Sequence, residues 1–317
     1  SRKNKETIAP QWFLLSSLLW FPMLFLIAWN GLEINPARGT VQSVLSMWFG
    51  QSLIWLWLTP VALGAAYYII PAILGRAIDK YYLAVFGFWC IATLAPWSVV
   101  HHLEGGPVPM WIPAIGTVMS IAMIFPIAVA STNFHSTAFL DISKVWDSLP
   151  LRFVIFGTLS YTISSYIGVI FSLPSVAKIT QFSIINDFHF NQRVYGFFSM
   201  IIFGMVYYIL PKITGNEIAK GAKAFHFWTS AFGVLILLLA YLLGGLTHGV
   251  LALQPSLSWA SSVISSVMPY FLITELAFIV LGFSQLVFVI NVWKAIIPNP
   301  FAFWTCGDSQ SKPETSA

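Results

Sequence analysis

The chain has 317 residues, of which 58% are hydrophobic and only 8% are charged, and its mean hydropathy is +0.80. Soluble domains carry about a quarter charged residues, so this composition excludes a soluble protein and predicts an integral membrane protein. The formal net charge of +4 is explained by basic loops at one membrane face and requires no nucleic-acid partner.

Eight apolar stretches are long enough to cross a bilayer, which takes roughly 20 helical residues. They predict an all-α, polytopic bundle over 11–296, preceded by a cytoplasmic segment at 1–10 and followed by a polar cytoplasmic tail at 297–317. No small-residue cleavage site follows the first stretch, so we expect no signal peptide to be removed. The stretches lie at about 11–31, 46–74, 81–102, 111–131, 152–174, 190–211, 224–246 and 267–293.

The lysines and arginines indicate how the bundle is oriented. Twelve lie in the termini and in the loops on the same side as them, and three lie on the other side. Cytoplasmic loops carry such an excess, which predicts that both termini are inside. His101 and His102 then end the third stretch at the outer face, and His189 begins the sixth stretch at the same depth.

In chain order, the first candidate site residue is Gln51, a polar side chain at the outer end of the second stretch. An amide in a membrane helix is more often an interhelical hydrogen-bond partner than a ligand. Pro96 is expected to distort the end of the third stretch, and 131–150 is predicted to be a solvated inner loop. In the seventh stretch, His226 and His248 are predicted to be packed or interfacial rings.

The paired histidines leave two readings open. Imidazole binds copper, iron and zinc, and a distorted helix end would let His101 and His102 share one metal; otherwise they are a solvated interfacial pair. Residues 189 and 191 differ by about 200° around a helix, so histidines at both positions could bind two different hemes. Here the second position is Asn191, which leaves one face without a nitrogen ligand.

Several motifs together resemble subunit I of the heme–copper oxidase superfamily, closest to the cbb3 type, with nitric oxide reductase as a nearby branch. The resemblance covers about residues 45–295. The family core has twelve spans, and the eight stretches resemble the last eight. The motifs are Trp48–Gln51 through Tyr67–Pro71, His101-His102-Leu with Pro107–Trp111, Leu149–Phe153, His189, Gly196 through Phe203–Pro211, His226–Trp228 and Gly244–Gly249.

The resemblance implies site roles for three histidines. It makes His189 the axial ligand of a high-spin, b-type heme, and it makes His101 and His102 two of three ligands to copper or non-heme iron. The third ligand position falls at Gln51, a poorer ligand than imidazole.

Other family positions are altered. The histidine of the low-spin heme falls at Asn191, the tyrosine that is cross-linked in cbb3-type enzymes falls at Ala95, and a buried glutamate falls at Ile167. A six-coordinate heme needs two strong axial ligands, so we expect no low-spin heme at Asn191. The chain therefore resembles an oxidase core that has lost much of its machinery.

Two functions are compatible with these residues. One is an oxidoreductase subunit that retains a heme at His189 and reduces oxygen or nitric oxide. The other is a catalytically degenerate subunit that anchors a larger electron-transfer complex. Either is expected in a prokaryotic inner membrane with other membrane subunits and c-type cytochrome subunits. The family's first four helices are either supplied by another chain or lost. An ion pathway is disfavoured because the apolar stretches contain few ionisable residues.

Overall fold

The structure, a computed structural model, describes residues 8–297. Within that range the regular structure is helical, and eight helices are long and apolar enough to span a membrane, as predicted. The predicted tail and most of the predicted N-terminal segment lie outside the described residues, and the inside location of both termini stays a prediction. The spans are α1 Ala9–Ile34, α2 Thr40–Leu74, α3 Tyr82–Leu103, α4 Trp111–Phe139, α5 Leu149–Phe171, α6 Ile185–Thr214, α7 Lys220–Ala252 and α8 Trp259–Ile296.

The predicted inner loop at 131–150 is wrong over most of its length. Helix α4 continues to Phe139, and a short helix follows at Ile142–Asp147. The polar residues of this last part of α4 bond to neighbouring helices, which is why they tolerate burial: Asn133 Nδ2 lies 3.2 Å from Tyr67 Oη, and the hydroxyls of Ser131 and Thr162 are 2.8 Å apart. The polar side chains in this stretch therefore form hydrogen bonds between helices and are not a solvated loop.

Helix α6 also begins earlier than expected. It starts at Ile185, so His189 lies inside the first turns of the helix and is only 7% exposed. A second short helix, Pro174–Thr180, and the turns that follow it connect α5 to this helix. His189 is therefore buried within the helix bundle.

Three local distortions of the helices lie near one another. Helix α2 has a π-helical turn at Ile54–Leu58, α6 has a longer one at Gln192–Ser199, and α3 ends in a 3₁₀ turn at Val99–Leu103. Such departures from α-helical geometry change which residues share a face and are frequent at functional sites. Here they carry Trp55, Arg193 and the paired histidines.

Helices α6, α7 and α8 are joined by a buried hydrogen-bonded group. Tyr207 Oη lies 2.9 Å from His226 Nδ1, and Asn291 Nδ2 donates to the same hydroxyl at 3.0 Å. His226 is fully buried among phenylalanine rings. The prediction that His226 is a packed ring is confirmed.

Candidate functional site

The 3₁₀ turn Val99–Leu103, called here the histidine turn, holds His101 and His102 against α4. Pro96 lies just before it, inside α3. A Cβ atom on Gly116 of α4 would lie 2.2 Å from the backbone nitrogen of His101. The turn can occupy this place only because residue 116 has no side chain.

The His101 ring is oriented by backbone and hydroxyl groups. Its Nδ1 atom lies 2.6 Å from the Ser98 carbonyl and 3.0 Å from Ser120 Oγ. Donation from Nδ1–H to a carbonyl leaves the lone pair on Nε2, which is the arrangement usual in metal-binding histidines. The His102 ring stands with its centroid 4.1 Å from that of His101.

The His189 ring is held by an arginine one turn further along α6. Nε and Nη2 of Arg193 lie 3.3 and 3.2 Å from His189 Nε2. The guanidinium carbon stands 4.0 Å from the centroid of the Trp55 ring, in cation–π geometry. Arg193 is only 6% exposed. The lone pair that a metal would need at His189 is therefore already accepting a hydrogen bond.

Two adjoining cavities share His102, His189 and Arg193. The smaller one, called the His101 cavity, has a volume of about 20 Å³, and its walls include His101, Ser98 and Ser120. The larger one, called the Arg193 cavity, has a volume of about 210 Å³. Its walls are Gln51, Ile54, His102, Gln181, Asn186, His189, Phe190 and Arg193.

The structure brings the four predicted ligand positions together. His101 lines the smaller cavity, Gln51 lines the larger one, and His102 and His189 line both. Within residues 8–297, however, no group of three or more histidine, cysteine, aspartate or glutamate side chains is placed to hold one metal ion. Position 51, where the resemblance predicts the third ligand, is a glutamine in the wall of the larger cavity.

The altered family positions lie outside both cavities. The Asn191 amide donates to the Asp187 carbonyl at 2.7 Å, in its own helix. Ala95 is fully buried in α3, and its carbonyl accepts from Ser98 Oγ at 3.0 Å. Ile167 packs in the apolar cluster between α5 and α7. None of these side chains offers a replacement for the group expected at its position.

In this conformation the side chains do not fit a heme iron on His189 with a second metal at His101 and His102. A metal bound to imidazole lies about 2 Å from the nitrogen, whereas Nε and Nη2 of Arg193 already lie 3.3 and 3.2 Å from His189 Nε2. Facing imidazoles that hold two neighbouring metals have centroids roughly 9–10 Å apart. The centroids of His102 and His189 are 6.4 Å apart.

In the sequence, Arg193 is one of the three basic residues assigned to the outer side, and no site role is predicted for it. The signal that could have identified it is its spacing, because residues four apart lie on one face of a helix. An arginine four residues after a predicted ligand histidine is therefore positioned to contact that ligand. The π-helical turn that adjusts its direction has no evident pattern in the sequence.

Comparisons with known proteins place the geometry in context. The family model described as cytochrome c and quinol oxidase polypeptide I matches residues 2–280. A cytochrome c oxidase subunit 1 homolog from Agrobacterium tumefaciens (strain T37) is 24% identical over 94% of this chain and 58% of its own length. The cbb3-type cytochrome c oxidase subunit CcoN1 of Stutzerimonas stutzeri is 24% identical over 93% of this chain and 65% of its own length.

The fold has a counterpart among solved structures. A chain from a cryo-EM structure of a heme–copper terminal oxidase dimer matches with a TM-score of 0.70 at 13% sequence identity. The match covers 91% of this chain and 55% of that chain. Measured against these three proteins, the chain spans between about half and two thirds of their length.

Proposed function

The chain belongs to the cytochrome c and quinol oxidase polypeptide I family, subunit I of the heme–copper oxidases, and from this membership we propose that it is a catalytically degenerate membrane subunit of a respiratory complex. It keeps the helix bundle of the family and contributes that bundle to an assembly with other membrane subunits and c-type cytochrome subunits. Because the relatives are bacterial proteins, we place this assembly in a prokaryotic inner membrane.

The observation that carries this proposal is the contact between Arg193 and His189. The guanidinium donates to Nε2 from two nitrogens and is packed on Trp55. The positive charge of Arg193 disfavours a metal ion at His189, because repulsion between two charges in a buried site is weakly screened. Ligation of iron at His189 would require Arg193 to give up its contacts with His189 Nε2 and with the Trp55 ring.

A heme-binding subunit is the second candidate, and one observation favours it. His101, His102 and His189 line adjoining cavities, and His101 keeps its Nε2 lone pair available. In this alternative His189 holds a b-type heme after Arg193 moves away, and the paired histidines with Gln51 hold copper or non-heme iron. Reduction of oxygen or nitric oxide would then be the activity.

Optical spectroscopy on the full chain, purified with its associated subunits, distinguishes the two. We expect the reduced-minus-oxidised spectrum, with and without carbon monoxide, to be the same for the wild type and for His189→Ala. Iron and copper analysis should likewise give the same contents for both proteins. The matched control is His248→Ala, since His248 is another histidine of the bundle but lines neither of the two cavities. A carbon monoxide-binding heme that disappears only in His189→Ala would overturn the proposal in favour of the second candidate.

A further inference from the structure

The Arg193 cavity contains a buried cation without an anionic partner. Within residues 8–297 the ion pairs are Lys144 with Asp141 and Lys223 with Glu217, so no carboxylate of the described chain neutralises Arg193. A buried charge without a partner is strongly unfavourable, because the interior does not replace the water that would solvate it. Such a site favours any anion that can reach it.

The guanidinium has bonding capacity left. It carries five N–H groups, and the hydrogen bonds it makes are directed from Nε and Nη2 to one atom, His189 Nε2. Trp55 covers one face of the planar group. The Nη1 side of the fork remains for a planar, two-oxygen acceptor, which is the partner that arginine binds best.

The other walls of the cavity suit a small and soluble anion. Gln51, His102, Gln181 and Asn186 surround the space of about 210 Å³, and only Ile54 and Phe190 among the lining residues are apolar. The amides and the imidazole can donate hydrogen bonds, whereas an acyl chain would leave these groups without partners. The Gln181 and Asn186 amides are themselves fixed, because Gln181 Nε2 donates to the His102 carbonyl and Asn186 Nδ2 donates to the Gln181 carbonyl.

From these observations we propose that the Arg193 cavity binds a small monovalent planar oxyanion, of the carboxylate, nitrite or nitrate type, through the free side of the Arg193 guanidinium and the amide of Gln51. The anion neutralises the buried cation and occupies the space beside the histidines. The inference rests on the conformation in which Arg193 contacts His189, which the proposed function also uses.

Calorimetric titration of the full-length complex with formate, in chloride-free buffer and detergent, tests this inference. We expect saturable binding that Arg193→Gln weakens about tenfold or more, as removal of a charged hydrogen-bond donor does. Arg193→Lys keeps the charge but loses the fork, and it should give an intermediate affinity. The matched control is Arg76→Gln, at an exposed arginine, and it should bind formate as the wild type does.

Further arms keep the test decisive. If Arg193→Gln does not accumulate in the membrane, Gln51→Ala should still weaken formate binding by about threefold, the effect of losing one neutral hydrogen bond. Laurate presents the same carboxylate on an acyl chain, and binding of laurate without binding of formate would overturn the inference in favour of a lipid site. Absence of formate binding, or binding unchanged in both variants, would also overturn it.

The heme content of the same samples separates this inference from the proposed function. Formate binding that depends on Arg193, in a sample without a heme, supports the anion site. A carbon monoxide-binding heme that requires His189 contradicts the proposed function and also the conformation on which the anion site rests. Formate affinity that is the same in Arg193→Gln and in the wild type, in a sample without such a heme, contradicts the anion site alone.

Discussion

At the scale of single residues, hydrogen bonds pair several of the polar side chains that are buried between the helices. Arg193 and His189 illustrate this in the site, and Tyr207, His226 and Asn291 illustrate it at the other end of α6. Interhelical hydrogen bonds in membrane proteins are worth about 0.6 kcal/mol on average and up to about 1.7. These groups therefore act mainly by fixing which helices pair and in which register.

The Tyr207 hydroxyl gives a measurable instance. Tyr207→Phe removes the acceptor of Asn291 Nδ2 and the partner of His226 Nδ1, and His226 Nε2 already lacks a hydrogen bond within the described chain. We expect the free energy of unfolding to fall by about 1 kcal/mol, seen as a lower thermal midpoint in detergent. Tyr68→Phe, at a tyrosine that is 46% exposed, is the control and should leave the midpoint unchanged. Equal midpoints for both variants would refute this role.

Much of the site could be predicted at this scale, but the burial of Arg193 could not. His101, His102, His189 and Gln51 lie around adjoining cavities, as their shared depth and the family resemblance indicated, while their roles as ligands stay predictions. In the sequence, Arg193 served only to indicate the orientation of the helices in the membrane. Its burial depends on packing against Trp55, which is 138 positions away in the chain. Long-range packing of this kind leaves no local pattern.

At the scale of elements, departures from regular helix set the geometry of the site. The histidine turn departs from α-helical geometry, as Pro96 predicted, and the two π-helical turns position Trp55 and Arg193. Helix ends were the least predictable feature. Helices α4 and α6 extended beyond their apolar cores because interhelical bonds and buried turns stabilise polar residues that a hydropathy pattern assigns to loops.

The close approach of α4 to the histidine turn can be tested by adding one methyl group. Gly116→Ala would place Cβ 2.2 Å from the His101 backbone nitrogen. Because the atom it meets belongs to the backbone, a change of side-chain rotamer cannot relieve the clash. Overpacking of this kind costs about 1–3 kcal/mol, so we expect a lower thermal midpoint. Gly282→Ala in α8 is the matched control, because its Cβ would meet nothing within 4 Å. A Gly116→Ala protein as stable as the control would show that the turn and α4 are not in contact.

At the scale of the whole molecule, the chain combines a retained fold with an altered centre. Eight apolar helices and the family match show the fold of heme–copper oxidase subunit I. The fold was predictable because hydrophobic length alone identifies spanning helices. The state of the centre was not predictable, because it depends on the buried contact between Arg193 and His189.

The most direct test of the central claim is a cryo-EM map of the intact complex at a resolution that shows side chains. We predict continuous side-chain density from Arg193 that contacts His189 Nε2 and lies on the Trp55 ring. Density for a porphyrin with its iron bonded to His189, and with Arg193 turned away from Trp55, would contradict the account.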